Sequence, residues 1–446
     1  MTVEKMHGIS VHIRRKTGIC LSFSAPSQRQ WRQLNRLSRG RWLLLLSVGT
    51  DLIEIGRIRR LMENPRFREK VFGSGDLISA NILEEVDPIS AELRINTLDF
   101  VLHNKNSEFS MINPSGIYTL LQERQPLTVH EYLDGVKKNM GTFYLDNWQN
   151  ETESTIKMGA IDLIGVMDST DFKGGMYVNV PAGVIIGEVM ESAGISYELD
   201  NSLYSIPTSG YIPICTHREA LQQIALAIGA IVDCSRSNKV RIYKNSTVLS
   251  EPIPRNRKLV GHKLKLKTLV TGVEVTSHNY VASAESVELF KNSLPVGTHE
   301  ITFNEPVHSL SITGASIVKS GANYAVINVA SAGSIVLTGK KYIDNTKIVG
   351  VYNAELLAGE KSNVVSAKKA TLISDTNALD TAQRLYDYYQ KRLQDEGKII
   401  LRDEKCGDIV TLDTMHNQQI QGFIEKLGIN LTGGFIANST IVGGSA

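Results

Sequence analysis

Cysteine is scarce in this chain. Four residues, Cys20, Cys215, Cys234 and Cys406, are spread over 446 positions with no C-x-x-C pair. That spacing excludes a disulfide framework and a cysteine-built metal cluster, and it fits folding in a reducing compartment. Long hydrophobic runs are missing as well. The longest, WLLLLSV at 42–48, falls well short of the ~20 apolar residues of a membrane span. It also lies too deep in the chain for a secretory signal. Catalytic signatures are absent: no G-x-S-x-G, H-E-x-x-H, P-loop or G-x-G-x-x-G occurs. The ten histidines are dispersed, and no two have ligand spacing on one helix.

What remains is the composition of an ordinary globular protein, 42% hydrophobic and 21% charged, with room for two to four domains. The net charge of +2 hides an asymmetry. Residues 1–48 hold nine Lys/Arg against one Glu, a balance of +8, and the rest of the chain sums to −6. A basic head of this kind suits nucleic acid. Its lack of a sustained amphipathic period reads instead as a disordered or adventitious leader over 1–46, from a gene fusion or an early start codon.

Residues 74–170 read as a compact antiparallel β unit. Ile89, Ala91, Leu93 and Ile95 alternate, Thr97, Asp99, Val101 and His103 continue the extended run, and Leu98, Phe100 and Leu102 fill the other face. A hairpin is expected about Asp134-Gly135. An α/β unit follows over 171–254. It has a helix from Ala182 to Ala193 stopped by Gly194, and a capping box, Thr216-His217-Arg218-Glu219, opening a second helix. A hairpin then joins Ile231–Asp233 to Lys239–Tyr243. Residues 255–375 are strand-rich with Gly and Ser turns and few aromatics, as in a β-sandwich or barrel. The last unit, 376–446, begins with Leu379, Ala382, Tyr386, Tyr389 and Leu393 on one helical face. That helix is expected to end at Gly397 and to lead into a β-meander. The fold class is therefore α+β, mostly β, with several domains.

Candidate functional residues are few, and each has a plain structural reading. His217, in a helix first turn beside Glu219, reads as a capping or surface histidine. Glu84, Glu85 and Asp87 read as a solvated acidic turn. Asp380 and Asp387 read as helix-surface charges. Lys368-Lys369 and HKLKLK at 262–267 could meet an acidic partner, the latter as a strand with its lysines on the wet face. No catalytic, cofactor-binding or metal-binding residue is assigned.

Two resemblances add to this. The stretch SVGTDLIEIGRIRRLMENPRFREKVF, 47–72, resembles the start of holo-acyl-carrier-protein synthase, a phosphopantetheinyl transferase. In that family the Asp of G-T-D, here Asp51, helps hold Mg²⁺ at the pyrophosphate of coenzyme A. Such an ion needs further oxygen ligands, and the second carboxylate's helix, W-x-x-K-E-A-x-x-K-A-like, does not occur here. The stretch therefore reads as a strand–helix fragment over 47–73. The longer resemblance covers 73–443. ISAELRINTLDFVLHNKNSEFSMINPSGIYTLLQERQPLTVHEYLDGVKKNMGTFYLDNW, then REALQQIALAIGAIVDCSRSNKVRIY, then AQRLYDYYQKRLQDEGKIILRDEKCGDIVTLDT and IQGFIEKLGINLTGGFIANSTIVG look like successive parts of tail baseplate-hub proteins of phages and prophages. That resemblance implies a non-enzymatic virion protein, assembled in the host cytoplasm and resident in the tail, with β-barrel-like domains and no cofactor. It would form a homo-oligomer, usually a trimer, that continues the tail tube and meets the tape-measure protein and the central spike. It implies no stable nucleic-acid binding and no membrane span. The alternatives are a phosphopantetheinyl transferase with a long extension and a hub-linked cell-wall hydrolase.

Overall fold

A computed structural model describes residues 9–14, 18–23, 77–110, 112–113, 121–133, 136–244, 249–356, 361–367, 370–414, 418–432, 434 and 436–445. The synthase-like stretch with Asp51, the Asp134-Gly135 turn and Lys368-Lys369 lie outside the described residues.

Alternating residues build the first strands. They are β1 (Ile9–Arg14), β2 (Gly18–Phe23), β3 (Leu77–Glu85), β4 (Thr97–His103), β5 (Pro126–Leu133), β6 (Val136–Thr152) and β7 (Thr155–Ile161). Two stretches of the basic head are thus strands, and both pair with β5. Their Ile9, Val11, Ile13 and Ile19, Leu21, Phe23 repeat with period two, a signal that a search for helical amphipathicity passes over. In β4, Leu98, Phe100 and Leu102 are fully buried while Asp99 and His103 face solvent, as the alternation requires. The expected extended run through Ile89–Ile95 is instead a turn. Asp87 Oδ1 and Oδ2 accept from the Ile89 and Glu92 amides, each at 3.0 Å. A carboxylate that binds backbone two and five residues on closes a loop that strand pairing would have to open.

The α/β unit comprises α1 (Leu163–Met167), β8 (Asp171–Phe172), β9 (Gly175–Pro181), α2 (Ala182–Ala193), β10 (Tyr197–Leu199) and α3 (Asn201–Tyr204). It continues through β11 (Pro207–Ile212), β12 (Cys215–Thr216), α4 (His217–Ile228), β13 (Ala230–Asp233) and β14 (Val240–Lys244). Helix α2 has the expected bounds, and Gly194 ends it at φ +66°, where a Cβ would be strained. Thr216 caps α4 by accepting from the Glu219 amide at 3.2 Å. The β13–β14 hairpin carries Val232 and Ile242 into a core shared with Ile185, Ile186, Leu221 and Ile224 of the two helices.

The next strands are β15 (Lys263–Leu266), β16 (Gly272–Leu294), β17 (Gly297–Thr302), β18 (Val307–Thr313), β19 (Ser316–Ser320), β20 (Tyr324–Val329), β21 (Gly333–Tyr352) and β22 (Val364–Ser366). The sheets β18-β21-β16-β22 and β17-β20-β19 enclose Ile301, Phe303, Ala325, Ile327, Ile335 and Leu337 as a sandwich. Strands β16 and β21, 23 and 20 residues long, run on past it as a two-stranded ribbon. The ribbon's far end packs Val273 and Val275 against Ala382 and Leu385 of α5 (Ala378–Tyr389).

Helix α5 stops at Tyr389 with Gln390 as its C-cap, earlier than Gly397. Leu393 and Gly397 instead belong to β23 (Leu393–Ile400), which is bonded to β15 on one side and β26 (Ile436–Ser445) on the other. Ladder bonds on both edges outweigh one more helical turn, and Leu379 is exposed whereas Ala378 and Leu385 are buried. With β24 (Ile409–Asp413) and β25 (Gln419–Asn430), these strands complete a twelve-stranded sheet. Its order is β1-β2-β5-β6-β7-β4-β3-β25-β26-β23-β15, with β24 on β25. Strand β3 pairs with β25, so the first and last β units share one sheet and one core. The sheet is open: among the described residues no sheet closes into the expected barrel.

Candidate assembly surfaces

The charged residues inside the molecule hold its segments together. On β3 the inward positions run Ala80, Ile82, Glu84, and Glu84 is 1% exposed. The acidic cluster is therefore no solvated turn. Arg236, from the loop after β13, donates through Nε to Glu84 Oε1 at 2.7 Å and through Nη2 to the Glu404 carbonyl at 3.1 Å. Arg257 meets the Glu404 carboxylate at 2.6 Å and donates to the Ile400 carbonyl at 2.7 Å. Glu85 pairs outside with Lys426 at 2.6 Å. Nearby, Asp395 on β23 accepts from Lys258 Nζ at 3.2 Å and lies 2.6 Å from His262 Nδ1. His262 Nε2 is 2.9 Å from the Lys398 carbonyl. These pairs join segments more than a hundred residues apart.

His217 is buried and structural, not a surface group. Its Nδ1 is 2.9 Å from the Thr170 carbonyl, and its Nε2 is 3.0 Å from Ser192 Oγ. Nδ1 also lies 2.8 Å from Thr170 Oγ1, so both ring nitrogens have partners within the core. Asp162 is the N-cap of α1. It accepts from the Gly165 amide at 2.9 Å and the Asn96 amide at 3.0 Å, yet burial pushes its carboxyl up to about 7. Burial also drives the Cys234 and Cys406 thiols far up, which keeps them protonated and unreactive. Arg384 of α5 donates to the Leu226 carbonyl in the last turn of α4, and burial lowers its guanidinium to about 10. Asp380 and Asp387 lie on the helix surface as expected. Among the described residues no group of three His, Cys, Asp or Glu is placed to hold a metal, and no helix is long and apolar enough to cross a membrane.

The surface offers unsatisfied strand edges instead. Strand β15 is exposed along its length, with Leu264 at 40% and Leu266 at 65%, and among the described residues it pairs only with β23. The lysines of HKLKLK are wet as expected, but so are its leucines. Beyond Tyr144, β6 has lost its β5 neighbour; past Leu145, which bonds to Gln125, its outer edge is free of strands among the described residues. The β16–β21 ribbon is exposed between its two cores, with Val281 opposite Ile343 and both about half exposed. A two-stranded ribbon is marginal alone, so such surfaces suit a protein that is covered by neighbours.

Comparison with known proteins is consistent with that character. No protein-family profile and no curated protein matches the chain. Solved structures do. The 43 kDa tail protein of prophage MuSo2 from Shewanella oneidensis superposes with a TM-score of 0.51 at 12% identity, over 84% of this chain and 95% of that one. A tail protein from Neisseria meningitidis also gives 0.51, at 10% identity, over 84% and 93%. At that identity the likeness is one of fold, and it runs nearly end to end: this chain has the mostly-β α+β fold of these tail proteins.

Proposed function

We propose that this chain is a structural subunit of a phage or phage-like tail, placed at the baseplate hub or tail tip, where it continues the tail tube and meets the central spike. The observation that carries the reading is the superposition on a prophage tail protein over 84% of this chain and 95% of the other. The order of hub-like segments in the sequence supports the finer placement. The free strand edges and half-exposed ribbon support a homo-oligomer, read here as a trimer, because a ring subunit has its edges covered by its neighbours. Glu84, Glu404, Asp395 and His217, each buried and engaged within the core, support a non-enzymatic role.

The test is location. Tail particles are isolated from producing cells, and this protein is mapped in them by mass spectrometry and by electron microscopy of labelled particles. The expected result is a few copies at the distal end of the tube. A protein absent from particles, or monomeric at every concentration, would sink the reading. The Gly49-Thr50-Asp51 motif supports one other reading, a phosphopantetheinyl transferase. Mg²⁺-dependent transfer from coenzyme A to an acyl carrier protein, abolished by Asp51→Ala, would establish it.

A further inference from the structure

The β16–β21 ribbon enters the sandwich through a double irregularity. Strand β16 pairs Ala282 with Tyr342 and Ser286 with Lys340, so Ser283, Ala284 and Glu285 stand opposite Lys341 alone. On the other side of β21, strand β18 pairs His308 with Lys340 and Ser311 with Thr338, so Ser309 and Leu310 stand opposite Gly339 alone. Both neighbours of β21 therefore bulge at 339–341, and a bulge leaves residues out of the ladder and bends the strand. At Gly339 a Cβ would press on Leu289, Leu310 and Val307 at 3.0–3.1 Å, so β21 is bare where its neighbours bend. Side chains span the gap in place of ladder bonds: His308 Nε2 is 3.2 Å from the Ser283 carbonyl, and Lys341 is 3.5 Å from Glu285.

The two sides of this level are held differently. On the ribbon side, the His278 amide donates to the Ile373 carbonyl at 2.8 Å and Ser277 Oγ to Asp375 Oδ1 at 2.7 Å, and Val273 and Val275 share a core with α5. On the other side, the sandwich has a core of its own, drawn from residues 287–337. Its contacts with the α/β unit are polar. Tyr211 of β11 donates its hydroxyl to the Asn304 carbonyl at 3.3 Å and accepts from Asn323 Nδ2 at 2.7 Å. Lys173 pairs with Glu300 and lies over the Tyr324 ring, 5.1 Å from its centroid. The Lys173 and Glu300 side chains are 49% and 39% exposed, so water screens the pair. Asn323 is fully buried, yet its Oδ1 meets no donor among the described residues. A buried acceptor without a donor raises the energy of the docked state and is relieved when water reaches it. Polar contacts of this kind between units permit relative motion.

We propose that the sandwich is a hinged arm. It turns about the paired bulges at 339–341, and the Tyr211–Asn323 and Lys173–Glu300 contacts are the latch that holds it against the α/β unit. The arm is a property of the chain by itself, whatever larger structure the chain joins.

The test is single-molecule energy transfer in the full-length chain. A dye pair is attached through azide-bearing residues placed at Ser196 in the α/β unit and at Ser293 near the far end of β16, both exposed. The wild type is expected to show a dominant docked state and a minor undocked one. Tyr211→Phe keeps the ring and removes the hydroxyl, and should raise the undocked fraction about five- to ten-fold. Lys173→Glu should raise it up to about five-fold, and adding Glu300→Lys should bring most of it back. Hydrogen exchange at Ala325 and Ile327, in the sandwich core, should stay slow in every variant, because the arm swings as a folded body. A single transfer state, unchanged when Tyr211→Phe is combined with Lys173→Glu, would overturn the hinge. Fast exchange at Ala325 and Ile327 in Tyr211→Phe would overturn it too, since the sandwich would then be unfolding rather than turning.

Discussion

Glu84 and Arg236 illustrate the residue scale. Their side chains are 1% and 7% exposed, so each is in the interior only because the other is there. Removing one partner leaves an uncompensated buried charge and costs about 3–5 kcal/mol, whereas replacing both by apolar residues of similar volume is close to neutral. Arg236→Met alone should therefore lower the thermal midpoint sharply, and Glu84→Leu with Arg236→Met should recover most of it by calorimetry. Asp162 makes a different prediction. Its folded carboxyl titrates near 7 because burial disfavours the anion, against an ordinary value of 3.8. The folded state thus holds this proton more tightly than the unfolded chain. The stability it contributes is complete below about pH 4 and is lost as the pH rises through 7. Urea midpoints measured between pH 4 and 8 should fall across that window. Asp162→Asn should flatten this part of the slope; an unchanged slope would mean that other groups produce it.

At the scale of elements, Gly397 fixes how the sheet's edge is clasped. A Cβ there would run into the His262 ring, which is held between Asp395 and the Lys398 carbonyl. Gly397→Ala must displace the imidazole or the strand, a cost of about 1–3 kcal/mol for an overpacked site. The damage should be local. Hydrogen exchange should quicken in Lys263–Leu266 and leave β3 and β4 protected. Uniform loss of protection would show that β15 is not a separable edge. The same glycine shows why the end of α5 was misplaced by sequence alone. Gly397 follows an apolar helical pattern and looks like a stop signal, whereas its requirement comes from a histidine 135 positions earlier.

For the whole molecule the pairing of β3 with β25 matters most. Ile82 and Ile429 face each other in that register and both are fully buried. Ile82→Ala and Ile429→Ala should each cost about 2–5 kcal/mol. Because the two are cross-strand neighbours in one core, the double variant should cost less or more than the sum by a measurable coupling. Either substitution should sensitise both ends of the chain to protease, since one core spans them. Independent unfolding of the two ends would contradict a shared core.

Much of this was legible in the residues. Alternation marked β4, a C′ glycine and an N-cap threonine bounded α2 and α4, and the polar SRSN at 235–238 marked the β13–β14 hairpin, because these signals are local and act through the backbone within a few positions. The burial of Glu84 was missed, because the acidic cluster read as a solvated turn although Glu84 shares the inward parity of Ala80 and Ile82; its partners Arg236 and Glu404 are remote in sequence. What the sequence by itself determined is the class of element along most of the chain and the unevenness of its charge. Only the tertiary structure decided that the first and last units form one sheet, that its ends are β1 and the lysine-bearing β15, and that the buried charges are paired. Strand register and ion pairing between segments more than a hundred residues apart depend on how two faces meet in space, and no periodicity within either segment records that meeting.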